Sequence, residues 1–210
     1  MILQTEVRGI FETNSYFYID DETRHGFLID AGAQADELLK IINLRGFTIE
    51  KILLTHGHFD HIGAIPELQA RLKVEVCMQK NGRDYVKNPE WNLSAYFGLD
   101  MTLDGVTYLD DFSEITLTAN KNFGLKLIPL AGHTTDSAIY YSEKDSVAFV
   151  GDSIFLGSLG RTDFPGGDEA TLYKNLKEKI LTLPDDTVLL SGHSEPTTVE
   201  NEKFRSWFDD

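Results

Sequence analysis

Six histidines and a few aspartates carry the chemistry of this chain. The stretch T-H-G-H-F-D-H, residues 55–61, supplies His56, His58, Asp60 and His61. Imidazole and carboxylate are the ligands that suit zinc and other first-row metals. Side chains at i and i+2 of an extended strand point the same way. His56 and His58 can therefore grip one ion, while Asp60 and His61, past the turn, reach a second. In a chain of this composition H-x-H-x-D-H arises by chance on the order of 4 times in 10,000. The plain alternative is a polar loop with satisfied surface histidines.

Three further candidates share one pattern. His133 in A-G-H-T, Asp152 in V-G-D-S and His193 in S-G-H-S each follow an apolar run and then a glycine. Strand ends are where α/β architectures place ligand sites. A glycine beside a ligand allows the close backbone approach that a compact site needs. Taken singly, His133 reads as a structural histidine and Asp152 as a turn residue. The same pattern three times over outweighs those readings.

The elements that must position these residues follow from periodicity. Residues 7–12, 15–20 and 25–30 read as a meander of strands, rich in aromatic and β-branched residues. Residues 34–45 read as a helix stopped by Gly46. Residues 51–55 form a short buried strand that runs straight into the histidine cluster. A helix is expected over 63–72 and a strand over 74–78. Residues 80–105 are less regular, a candidate cover for a site. Strands follow at 115–118, 125–129, 138–142 and 146–150. A helix is expected over 168–183, a strand over 188–190, and a final short helix including Phe204 and Trp207. No repeat, low-complexity segment or linker divides the chain, so one domain over 1–210 is expected. Strands and helices occur in both halves. The expected fold is therefore α/β, with helices covering two central sheets in four layers.

Composition sets outer bounds. Hydrophobic residues make up 41% and charged residues 25%, ordinary globular values. The one cysteine, Cys77, excludes an intramolecular disulfide and a thiolate metal cluster. Lying in V-E-V-C-M, it reads as a buried small hydrophobe. The first residues do not read as a signal peptide, and no apolar run approaches the roughly 18 residues of a membrane span. A soluble, cytoplasmic protein without a membrane partner is expected. The net charge of −15 repels phosphate backbones, so a small-molecule substrate is expected and nucleic acid is not. His25 reads as a surface histidine. Tyr85, Tyr96 and Phe97 line a pocket or pack in the core or a lid.

In their order along the chain, His-x-His-x-Asp-His, Gly-His-Thr, Gly-Asp-Ser and Gly-His resemble the metallo-β-lactamase superfamily over nearly the whole sequence. The resemblance implies an αββα sandwich and two divalent metal ions, zinc first, with iron or manganese as alternatives. It assigns His56, His58 and His133 to one ion and Asp60, His61 and His193 to the other, with Asp152 bridging. Residues 151–168 (G-D-S-I-F-L-G-S-L-G-R-T-D-F-P-G-G-D) and 92–98 (N-L-S-A-Y-F-G) are similar to short, single-domain glyoxalase II-like hydrolases. That branch implies hydrolysis of small acyl thioesters, the two cations supplying an activated water at neutral pH. Asp60 would both ligate and orient the nucleophile. Arg161 matches a basic substrate-contacting position and would hold a carboxylate in fork geometry. A structural pair with Asp163 or Asp168 is the even alternative.

The sequence departs from the family pattern in two places. The common Gly-His-Thr-Pro-Gly reads G-H-T-T-D here, and only residues 194–210 follow His193 where full-length glyoxalase II enzymes carry a glutathione-binding helical region. Zinc β-lactamases of the main subclass carry Cys where Asp152 stands, and flavodiiron proteins Glu where His58 stands, which disfavours both. The alternative activities are a persulfide dioxygenase-like oxidation on a single iron, which shares G-R-T-D-F, and hydrolysis of lactones or other esters.

Overall fold

The computed structural model describes residues 1–205. In its first half lie β1 (Ile2–Arg8), β2 (Glu12–Ile19), β3 (His25–Ile29), α1 (Ala35–Arg45), β4 (Thr48–Leu54), α2 (Phe59–Ile62), α3 (Ile65–Leu72), β5 (Glu75–Gln79), α4 (Gly82–Val86) and β6 (Val106–Leu109), with a 3-10 turn at Ser94–Phe97. In its second half lie β7 (Glu114–Thr116), β8 (Gly124–Pro129), β9 (Ala138–Ser142), β10 (Val147–Gly151), β11 (Ile154–Phe155), β12 (Ser158–Leu159), α5 (Glu169–Asn175), β13 (Val188–Ser191), β14 (Thr197–Thr198) and α6 (Val199–Lys203). One six-stranded sheet runs β1-β2-β3-β4-β5-β6. The second runs β14-β13-β10-β9-β8-β7, and β11 and β12 form a small separate hairpin.

Side chains alternate across each strand and sort the core into three slabs. In β2, Tyr16 and Tyr18 face the second sheet, while Phe17 and Ile19 face the helices. In β4, Leu53 points between the sheets, and Ile52 and Leu54 point to α1 and α3. In β10, Phe149 points inward, and Ala148 and Val150 point to α5. Helix, sheet, sheet and helix are thus stacked in four layers, the expected αββα sandwich. Both faces of each sheet are covered, so the inner strands read as continuous apolar runs. Tyr16 Oη donates to Ser191 O at 2.6 Å and Tyr140 Oη to Leu54 O at 2.9 Å, which ties the two sheets near their site-bearing ends.

Several boundaries differ from the sequence reading. The strand expected over 7–12 is the end of one strand, a turn at Gly9 to Phe11, and the start of the next. Its partner β1 begins at Ile2 and is half-exposed at the sheet edge, which leaves little apolar signal. The helix expected over 63–72 starts at Ile65, with Pro66 in its first turn. The strand β6 is short and lies just beyond the irregular 80–105 stretch. The helix expected over 168–183 is capped by Asp168, whose Oδ1 accepts from Thr171 N at 2.7 Å, but it widens into a π-turn at Leu176–Ile180. Leu172, Leu176 and Ile180 repeat every four residues, which overshoots a 3.6-residue turn. The i→i+5 bond from Leu181 N to Leu176 O absorbs that excess. Phe204 caps α6, and Trp207 lies outside the described residues.

Candidate metal centre

Seven side chains converge where the two sheets meet at their strand ends. His56 and His58 follow β4, and Asp60 and His61 lie on α2. His133 follows β8, Asp152 follows β10 and His193 follows β13. Three overlapping groups have ligand atoms within 4.8 Å of one another: His56, His58 and His133; His56, His61 and Asp152; and Asp60, His61 and His193. Every metal candidate read from the sequence is in this cluster.

The ring nitrogens sort into outward and inward sets. His133 Nδ1 donates to Arg161 O at 2.7 Å and His193 Nδ1 to Glu12 O at 2.7 Å. His61 Nδ1 donates to Asp30 Oδ2 at 2.9 Å, and His56 Nδ1 lies 3.1 Å from Thr55 Oγ1. Fixing one nitrogen this way aims the other at the cluster, the arrangement found around metal-bound histidines. On the inward side, His58 Nδ1 sits 3.0 Å from His56 Nε2 and 3.1 Å from His133 Nε2. Three imidazole nitrogens facing one point have too few protons to satisfy one another, whereas a cation at that point would satisfy all three.

The second half of the cluster mixes charges. His193 Nε2 lies 3.2 Å from Asp60 Oδ2 and 3.3 Å from Asp152 Oδ2. His61 Nε2 and Asp152 Oδ1 are 3.3 Å apart, yet neither atom makes a hydrogen bond and both are fully shielded from solvent. Buried polar atoms are normally paired, so this unsatisfied pair has the chemistry of two metal ligands.

The electrostatics divide the cluster the same way. Burial pushes His56 well below the ordinary imidazole value and His58 down to about 3, with neighbouring histidines adding to the effect. Burial also lowers His133. These three are neutral at pH 7, with lone pairs free. For His61 and His193 burial again pushes down, but the Asp152, Asp60 and Asp30 carboxylates outweigh it at His61. Asp152 and Asp60 hold His193 up to about 10. Conversely, burial would raise Asp60 and Asp152, but His61 and His193 keep both carboxyls below the usual range. The carboxylates that raise these two imidazoles give this half of the cluster the charge that suits a cation.

Glycines make the cluster compact. A Cβ on Gly192 would lie 2.3 Å from Asp152 Oδ1 and 2.6 Å from His61 Cε1, so only glycine lets β13 pass this close. Gly151 has φ +53°, and a Cβ there would meet Thr55 Oγ1 at 2.4 Å.

Two supporting residues escape a motif search. Asp30, at the end of β3, accepts from Thr55 N and Thr55 Oγ1, both at 2.8 Å, as well as from His61. Its φ of 49° belongs to a turn position that Asp tolerates. The only signal in the sequence was its place after H-G-F-L-I. In the departing turn G-H-T-T-D, Thr134 and Ser137 hydroxyls pair at 2.6 Å. Asp136 is fully buried there, and burial raises its carboxyl to about 7.

A cavity of about 740 Å³ opens over the cluster. Leu93, Tyr96 and Phe97, from the irregular segment, form part of its wall, and Arg161 and Asp163 form part of its rim. Arg161 grips Asp163 with two bonds, Nε to Oδ1 at 2.9 Å and Nη2 to Oδ2 at 2.7 Å, and stacks over Phe164 at 4.3 Å. Asp168 is occupied in capping α5. Tyr85 is fully buried and its hydroxyl donates to Pro165 O, so it packs and does not line the cavity. His25 pairs with Glu50 at 2.7 Å, far from the cluster in the fold. Asn92 explains part of the 92–98 motif: its carbonyl accepts from Phe59 N at 2.9 Å and steadies the start of α2.

A family model of the metallo-β-lactamase superfamily matches residues 8–193. The chain belongs to the metallo-β-lactamase superfamily. Within the superfamily it is 33% identical over 202 residues to the probable metallo-hydrolase YqgX of Bacillus subtilis (strain 168), covering 95% of this chain and 93% of that one. It is also 33% identical over 196 residues to the hydroxyacylglutathione hydrolase GloC of Haemophilus influenzae (strain ATCC 51907 / DSM 11121 / KW20 / Rd), covering 92% and 91%. Among solved structures, BLEG-1 B3 metallo-beta-lactamase superposes with a TM-score of 0.92 at 31% identity, covering 100% of both chains. TTHA1623 in a di-iron-bound form superposes with a TM-score of 0.86 at 28% identity, covering 98% and 99%. No helix among the described residues is long and apolar enough to cross a membrane.

Proposed function

We propose that the chain is a binuclear metal-dependent hydrolase of small acyl thioesters. The observation that carries this reading is the seven-residue cluster, in which nitrogens of His56, His58 and His133 crowd on one point, His61 Nε2 and Asp152 Oδ1 are buried without a hydrogen bond, and four of the five rings are tethered through their other nitrogen. His56, His58 and His133 would hold one ion, Asp60, His61 and His193 the other, and Asp152 both. Two such cations supply an activated water at neutral pH and polarise a carbonyl. Zinc is the first candidate for the N/O donor set, and the di-iron form of TTHA1623 makes iron the second.

The chain's own residues then have separable tasks. Asp60 Oδ2, held 3.2 Å from His193 Nε2, would orient the attacking water and accept its proton. Asp30, Thr55 and the carbonyls of Arg161 and Glu12 keep four imidazoles in one tautomer. The aromatic wall borders the cavity beside Asp60. Arg161 is the cationic side chain on the rim other than the histidines, so a single substrate carboxylate would dock there by displacing Asp163.

The thioester choice rests on the likeness to GloC and on the G-R-T-D-F-P-G-G-D segment that shapes the rim. A second reading, β-lactam hydrolysis, is supported by the superposition on BLEG-1, because Asp at position 152 argues only against the main zinc β-lactamase subclass. The test is a screen of the metal-loaded protein against thioesters, lactones, β-lactams and glutathione persulfide with oxygen consumption recorded. Thioesters should turn over fastest. Oxygen uptake with persulfide, or faster β-lactam opening, would overturn the thioester reading.

A further inference from the structure

Deepening that hydrolase reading, and resting on it, we propose that the cavity selects substrates by an apolar arm, phenyl-sized or a short alkyl chain, held against Phe11, Phe59 and Phe97. Phe11 comes from the turn between β1 and β2, Phe97 from the 3-10 turn, and Phe59 from the first position of α2, next to Asp60. Their ring centroids are 5.8, 5.2 and 5.1 Å apart in the three pairings. Three segments distant in sequence thus build one aromatic wall in the cavity that holds the metal ligands. Phe11 and Phe97 remain 44% and 43% exposed, although both have ring partners that could have buried them in a closed core. A large apolar surface left open beside a reactive centre marks a binding site. The opposite side is apolar too: Phe164 lies 5.8 Å from the His58 ring and Phe155 6.3 Å from that of His193.

The charges on the rim point the same way. Glu12 and Asp163 both line the cavity, and Arg161 already has its guanidinium fork filled by Asp163. Glutathione, with two carboxylates, would find one cation, reached only by displacing Asp163, and two repelling carboxylates. An uncharged apolar arm meets none of these penalties.

The arm belongs either to the acyl group or to the thiol, and two substrate series separate them. The first is acetyl-, butyryl- and hexanoyl-thioesters of N-acetylcysteamine. The second is acetyl thioesters of ethanethiol and benzyl mercaptan. Lactoylglutathione serves as the polar comparison. For the metal-loaded full chain, kcat/KM should rise about tenfold or more along one series, and that series identifies the arm. Phe11→Ala and Phe97→Ala should each flatten the rise, chiefly through KM, and Phe97→Leu should restore most of it. Circular dichroism and metal content check that the variants fold. Calorimetric binding of 1-hexanol, benzyl alcohol and glutathione needs no turnover, and Phe97→Ala should weaken the apolar ligands alone. Flat series, a preference for the glutathione thioester, or a rise that survives both alanine variants would overturn the proposal. Preferential apolar binding without hydrolysis would sink the hydrolase reading and leave the wall standing. Hydrolysis without preference would do the reverse.

Discussion

Asp30→Asn tests whether the cluster is organised from its second layer of contacts. Asp30 accepts three hydrogen bonds: from Thr55 N on Oδ1, and from Thr55 Oγ1 and His61 Nδ1 on Oδ2. An asparagine keeps the volume but has only one accepting oxygen. Whichever way the amide is turned, its NH₂ faces a donor. If it faces Thr55 N–H, a buried backbone donor is orphaned, at a cost of about 1–3 kcal/mol of stability. If it faces His61, the imidazole loses its tautomer lock. Loss of such a partner lowers metal affinity about 10–100-fold, or roughly 1.4–2.7 kcal/mol. The effect should fall on the ion held by Asp60, His61 and His193. The ion at His56, His58 and His133 is reached only indirectly, through Thr55 Oγ1. Chelator competition on the purified variant resolves the two affinities, and thermal unfolding in excess chelator isolates the stability term. Unchanged affinity at both sites, or equal losses at both, would refute this reasoning.

Other consequences follow. His193, held up to about 10, is protonated at pH 8 in the metal-free protein, because Asp152 and Asp60 outweigh burial, and the same carboxylates raise His61. Loading should therefore release protons, at least the one on His193, measurable by calorimetry in buffers of different ionisation enthalpy; no release would contradict the charge assignment. The raised value of His193 also gives the metal-free fold a contribution that is full below the ordinary histidine value, about 6.5, and lost as pH rises through about 10. Arg161→Ala should raise KM for carboxylate-bearing thioesters while changing kcat less than about twofold, since the carbonyl that holds His133 is retained. Equal effects on charged and neutral substrates would leave only the Asp163 pair. Burial pushes the Cys77 thiol up to about 12, so a thiol reagent should label it rapidly only after denaturation; rapid labelling of the native protein would contradict its place between the sheets.

The sequence was most legible where physics acts locally. Apolar runs such as I-L-L and V-A-F-V mark strands buried on both faces, and each of the three isolated ligand motifs ends such a strand, as the fold requires. The π-turn after α5 was not legible, because a four-residue repeat looks like an ordinary helix face until the backbone adjusts to it. Asp30 was hidden for a different reason. Its partner His61 is 31 positions away, and a lone Asp after a strand has no distinguishing pattern. Arg161 was left between two roles by its sequence. The structure shows its bond to Asp163 and its place on the cavity wall together, so the two roles compete for one guanidinium.

The central claim is that the seven side chains hold two ions. Elemental analysis of protein prepared with zinc in excess and then desalted should give two ions per chain. Asp152→Ala should lose most of both, because its carboxylate reaches His61 and His193 at 3.3 Å and His133 of the other half at 3.9 Å, and His58→Ala should lose mainly one. One ion per chain in the unaltered protein, with His61 and His193 unligated in a crystal structure, would contradict the account.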